Sequence, residues 1–147
     1  MIKKQTDRGA VLRPFELQDS DSVLDIWLKV NIEAHGFIDR GFWEQNKNEF
    51  LNECVYGSKT YLIEAEKRIR GFACVDANGF ISALFIESEY HNMGLGSMLI
   101  NLLKREYKSL SLNVYVLNRG AFNFYLKHGF KVRKLMYTNS FEYFMEL

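Results

Sequence analysis

The residues best suited to chemistry in this chain are two glycines, an asparagine and a tyrosine. Gly94 and Gly96 stand in Tyr90-His91-Asn92-Met93-Gly94-Leu95-Gly96-Ser97-Met98-Leu99, a turn that leaves an apolar segment at 80–86 and opens a helix-periodic one. A helix start carries unpaired backbone N–H groups and the positive end of the macrodipole, so the turn is a seat for phosphate. Glycines there let the backbone approach a ligand with no Cβ in between. Downstream come Asn118 and, within Phe124-Tyr125-Leu126-Lys127-His128-Gly129-Phe130, Tyr125. Seven residues separate Asn118 from Tyr125, two turns of one helix, so both can face the same ligand. Asn118 also suits a helix N-cap.

These residues need elements to hold them. Residues 11–15 read as a first strand, with Pro14 at its end. Asp19 or Ser20 can cap a helix in which Val23, Trp27, Val30 and Ala34 recur at helical spacing. His35-Gly36 breaks that helix, and a second one is predicted over 40–54. Strands at 60–64 and 69–75 flank a turn at 65–68, and Asn78-Gly79 turns into a strand at 80–86. Leu95, Met98, Leu99, Leu102 and Leu103 then form one apolar helical stripe. A strand at 111–116 and a helix at 119–128, stopped by Gly129, follow. In the last strand Phe141, Tyr143, Met145 and Leu147 alternate with Glu142 and Glu146, which predicts one buried face. Hairpins first and a strand–helix–strand unit later give an α/β (α+β) class: a mixed, mostly antiparallel sheet of about seven strands, flanked by about four helices.

Composition bounds the partners. With 147 residues, 48% of them hydrophobic, the chain is expected to form one domain over 1–147 with a real core. It has 19 basic and 18 acidic residues, a balance that argues against a nucleic-acid-binding surface. Lys67, Arg68 and Arg70 read as a solvated hairpin tip. No segment reaches about 18 apolar residues and the N-terminus has no apolar leader core, so no membrane span and a cytoplasmic location are expected. Cys54 and Cys74 lack metal-ligand spacing and read as small buried side chains, and the three histidines are scattered, so no metal is expected.

This order of elements with these residues resembles the GNAT superfamily of N-acetyltransferases, in particular small bacterial members of undefined substrate. The resemblance covers essentially the whole chain and is strongest over 84–130. The family's pyrophosphate motif, Arg/Gln-x-x-Gly-x-Gly/Ala, stands here as His91-Asn92-Met93-Gly94-Leu95-Gly96, with His91 in place of Arg or Gln. The resemblance implies a GNAT fold with acetyl-CoA as cosubstrate, its pyrophosphate over 93–97 and its pantetheine along the backbone of Leu84, Phe85 and Ile86. It implies Asn118 as a cofactor contact and Tyr125 as the general acid.

The implied chemistry fits these residue types. Amine attack on a thioester puts charge first on the carbonyl oxygen, which an N–H near Ile86 could stabilise, and then on the leaving sulfur. A phenol keeps its proton at pH 7 and can give it to that sulfur. The strand position where some family members carry a basic Glu appears as Asn113, which cannot take a proton; His35, Glu33 and Glu87 are the remaining candidate bases. Deprotonating a lysine amine at pH 7 costs about 4–5 kcal/mol and an α-amine about 1, so a missing base favours an acceptor of low pKa or relay through water. Ala34-His35-Gly36-Phe37-Ile38 is similar to a loop that borders the acceptor site in the same small bacterial proteins, which implies His35 and Phe37 as acceptor-site residues. The acceptor is a small-molecule amine or a peptide or protein amine, and the assembly a monomer or homodimer. The alternative is a catalytically weak acyl-CoA-binding sensor, kept open by His91 and the absent Glu.

Overall fold

The computed structural model describes residues 4–5 and 9–147, and of 4–5 only the backbone is described. Its strands are β1 (Lys4–Gln5), β2 (Val11–Pro14), β3 (Lys59–Ala65), β4 (Arg68–Val75), β5 (Phe80–Ile86), β6 (Ser111–Tyr115), β7 (Lys131–Tyr137) and β8 (Phe141–Glu146). The helices are α1 (Ser20–Ala34), α2 (Arg40–Glu49), α3 (Leu95–Glu106) and α4 (Arg119–Lys127). The sheet runs β1-β2-β3-β4-β5-β6-β8-β7, antiparallel throughout except for the parallel pair β5–β6. The fold is therefore the mixed, mostly antiparallel sheet with four helices; the added strand is the two-residue β1.

Two cores lie on the two faces. On one, Val23, Ile26, Trp27 and Val30 of α1 pack with Trp43, Phe50, Leu62 and Phe72. On the other, Leu95, Leu99, Leu102 and Leu103 of α3 pack with Ile63, Ile86, Leu112, Tyr125 and Met145. The stripe read for α3 is the buried one, with Met98 at its half-buried margin and Ile100 fully inside.

Several expectations are corrected in detail. Asp19 ends a 3₁₀ turn and precedes α1, but its carboxylate does not cap that helix. It instead accepts two hydrogen bonds from the Arg13 guanidinium, at 2.8 and 2.9 Å, and one from Glu16 N–H. The second helix stops being α-helical at Glu49 and continues as π-helix over Phe50–Tyr56. Phe50 and Val55, five residues apart, are both buried there, a spacing that fits i→i+5 winding and not the α-helical period. Phe50 stacks on Trp27 with ring centres 4.5 Å apart, which fixes that wider turn.

The last strand buries one residue fully, Met145; Phe141 at its start is exposed, and so is Leu147, which lies past its end. Cys74 is buried but Cys54 only half so. At the β3–β4 tip, Glu66 and Lys67 take positive φ as a tight hairpin requires. Arg70 is not solvated with its neighbours: it donates to Ala65 carbonyl, pairs with Glu87 and lies over the Tyr90 ring.

Candidate functional site

The sheet opens where the sequence placed chemistry. The β5–β6 ladder has only two residue pairs, Phe80↔Ser111 and Ile81↔Leu112, and beyond them the strands part. Glu87 donates its N–H to Arg70 carbonyl on β4, and in an antiparallel ladder successive residues bond to opposite sides. Leu84 and Ile86 thus turn their N–H and C=O groups toward the gap, whereas Phe85 turns its own to β4. Buried backbone groups left without a sheet partner demand another one, which makes the gap a place for a ligand with amides.

The turn after β5 completes that opening. His91 Nε2–H donates to Ile86 carbonyl at 2.8 Å, fastening the loop to the strand end in the position where the family motif has Arg or Gln. Asn92 and Gly94 take positive φ, 62° and 84°, and Gly94 is the N-cap of α3 with no side chain capping the first turn. A Cβ on Gly94 would stand in open space, so the uncapped N–H groups of α3 face outward past it. A Cβ on Gly96 would lie 3.2 Å from the Phe124 ring, so Gly96 lets α3 and α4 approach. Ser97, in that first turn, shares a 2.9 Å hydrogen bond with His128 Nε2 at the end of α4. Lys104 Nζ donates to the carbonyl of His128. Burial, with Lys104 and Lys127 nearby, lowers the His128 pKa from its ordinary value.

Tyr125 lies on α4 in the same core as Leu95 and Ile86, 7% exposed, between Phe124 and Phe130 at ring-centre distances of 5.3 and 5.6 Å. Burial pushes its phenol pKa well above the ordinary value, so the hydroxyl is a proton donor at any physiological pH. No protein partner for that hydroxyl is present among the described residues.

Asn118 caps α4 as its sequence position suggested, accepting from Ala121 N–H at 3.2 Å. Its Nδ2–H donates to His35 Nε2 at 2.9 Å. An amide nitrogen can only donate, so His35 Nε2 is the bare ring nitrogen and Nδ1 carries the proton. Nδ1–H then donates to Asn31 Oδ1 at 2.9 Å, and Asn31 Nδ2–H to Trp27 carbonyl at 2.9 Å. His35 is 5% exposed, packed against Trp43, Phe37 and Tyr115, and burial lowers its pKa to about 4. The ring is therefore neutral with its one lone pair occupied, which removes it from the candidate bases.

Phe37 is partly exposed beside Tyr115, ring centres 5.4 Å apart, and Asn113 is exposed on β6. Glu87 pairs with Arg70 at 3.4 Å. Asn31 and Tyr115 were not singled out from sequence, although Asn31 stands four residues before His35 on a helix, a spacing that brings side chains together.

Comparison with known proteins decides the family. The model for the "Acetyltransferase (GNAT) family" matches residues 21–130, three-quarters of the chain. The chain belongs to the GNAT acetyltransferase family. Among curated relatives of this GNAT acetyltransferase, the peptidyl-lysine N-acetyltransferase YiaC of Escherichia coli K12 is 23% identical over 122 residues. That match covers 83% of this chain and 84% of YiaC. The apo form of YjaB from Escherichia coli shares the fold with a TM-score of 0.80 at 19% identity, covering 93% of this chain and 96% of that one. The PaiA N-acetyltransferase of Thermoplasma acidophilum, solved with coenzyme A, also has a TM-score of 0.80, at 22% identity and coverages of 93% and 97%. No helix among the described residues is long and apolar enough to cross a membrane.

Proposed function

We propose that this GNAT acetyltransferase moves an acetyl group from acetyl-CoA to a primary amine by direct attack. The observation that carries the reading is the parting of β5 and β6 after two residue pairs, directly before the uncapped start of α3. Pyrophosphate fits the N–H groups of 94–97, where a phosphate gains from the helix end. The pantetheine amides fit the gap-facing backbone of Leu84 and Ile86. Ile86 carbonyl already accepts from His91, so its N–H is the group left to hold the thioester oxygen.

Tyr125 is the donor to the departing thiolate. Its burial keeps the proton on oxygen, and a hydroxyl without a protein partner is available to the sulfur. His35 is neutral and engaged, Glu87 is paired with Arg70 and Asn113 cannot accept a proton, which leaves Glu33, relay through water or an acceptor of low pKa for amine deprotonation. Peptidyl lysine is the acceptor named for YiaC, and peptides with a lysine or a free N-terminus head the acceptors to screen.

The test is CoA release from acetyl-CoA with a panel of small amines and peptides, run on wild type and Tyr125→Phe. The variant keeps the ring and removes the donor, so turnover should fall 10²–10⁴-fold with acetyl-CoA affinity little changed. Turnover within about threefold of wild type would make Tyr125 a packing residue. Acetyl-CoA binding without CoA release from any acceptor would favour the sensor reading instead.

A further inference from the structure

On the face of the sheet that carries α1, a single side-chain hydrogen bond among the described residues crosses from the β1–β5 part of the chain to the β6–β8 part: Asn118 to His35. It crosses beyond the last β5–β6 pair, where no backbone ladder joins the two parts. Each end is anchored. His35 is held by Asn31, itself held by the Trp27 carbonyl inside α1. Asn118 is held by the N–H of Ala121 in the first turn of α4, the helix on which Tyr125 sits.

We propose that His35 is a positioning residue, a clasp across the parted strands that sets the orientation of Asn118 and, through the cap, of α4. The proposal rests on the reading that Asn118 and Tyr125 face acyl-CoA. The neutral imidazole suits the task because its bare nitrogen accepts from Asn118 while its protonated one donates to Asn31. Its aromatic surroundings, Phe37, Trp43 and Tyr115, hold the ring plane in place. In this role His35 never exchanges a proton during turnover; it fixes the width of the opening that acetyl-CoA enters.

Two substitutions separate a clasp from simple packing. His35→Gln puts an amide oxygen near the place of Nε2 and keeps an acceptor for Asn118. His35→Asn puts its amide near the place of Nδ1, keeps the bond to Asn31 and loses the one to Asn118. Measured with acetyl-CoA and a working acceptor, His35→Asn should lose about tenfold in kcat/KM, the range of one hydrogen bond. His35→Gln should stay within about threefold, while both variants unfold at similarly lowered temperature. Equal activity losses in the two variants, tracking their stability, would overturn the clasp.

A second readout is independent of turnover. Nitrogen-15 NMR of the wild-type imidazole should show Nε2 bare and Nδ1 protonated across neutral pH, and hydrogen exchange at Ala121 N–H should accelerate in His35→Asn but not in His35→Gln. A protonated Nε2, or equal exchange in both variants, overturns the proposal. If no amine is acetylated, the functional reading fails while these two measurements still decide the clasp.

Discussion

Acidification below about pH 6.5 should destabilise this protein through His35. The folded imidazole has a pKa of about 4 against the ordinary 6.5, because burial disfavours its charged form. Below 6.5 the unfolded chain takes up a proton that the folded one refuses, so the unfolded state binds more protons and stability falls as pH falls. The loss starts near pH 6.5 and is complete below about pH 4. A shift of about 2.5 units is worth about 3 kcal/mol at 1.36 kcal/mol per unit, and about 2 kcal/mol is already lost at pH 5. The ring is almost fully buried, so screening by solvent takes little from that figure.

Urea denaturation of wild type and His35→Gln at pH 7.5, 6 and 5 isolates this contribution. His128, whose pKa is also lowered, contributes in both proteins and cancels in the difference. Wild type should lose about 1 M more in midpoint between pH 7.5 and 5 than the variant, given slopes of about 1–3 kcal/mol/M. Parallel pH dependence in the two proteins would refute the buried neutral imidazole and the network built on it.

Other outcomes follow from the same structure. Gly94→Ala should cost about 1 kcal/mol of stability from the positive φ, and it should weaken acetyl-CoA binding because its methyl enters open space before the uncapped helix start; calorimetry with unchanged affinity would move the pyrophosphate elsewhere. Asp19→Asn weakens two of the guanidinium bonds of Arg13, which keeps its ion pair with Glu64, so the change should cost about 2 kcal/mol in chemical denaturation. Gly79→Ala should destabilise by more than its strain at φ 83°, since the added Cβ collides with the carbonyl oxygen of Ser109; thermal unfolding within a degree or two of wild type would contradict the close approach.

The sequence made legible whatever depends on local period or on a single special residue. The α3 stripe, the Asn78-Gly79 turn, the β5 span and the Asn118 cap all follow from patterns of a few neighbours. What escaped depends on tertiary neighbours that no local period brings together, from six to 83 residues away in the chain. Asp19 looks like a cap until Arg13 on a neighbouring strand takes its carboxylate. Arg70 looks like part of a solvated tip until Tyr90 and Glu87 lie beneath it. His35 looks like a base until Asn118, 83 residues away, occupies its lone pair. A residue's type gives its chemistry, but whether its lone pairs are free is settled by tertiary neighbours.

The short β5–β6 ladder has a consequence for how the molecule comes apart. Apart from the edge pair β1–β2, two residue pairs make this the thinnest seam in the sheet, whose other strands are stitched by four or more. Partial unfolding should therefore run along that seam, releasing β6–β8 with α4 as one cooperative unit while β2–β5 stay paired. A ligand lying in the gap touches both units and suppresses this opening, by about 2.7 kcal/mol at a hundred times its Kd. On the seat proposed for it, acetyl-CoA would be a structural rivet as well as a reactant, and a chain starved of it should show its first proteolytic cuts around 107–111, between the two units.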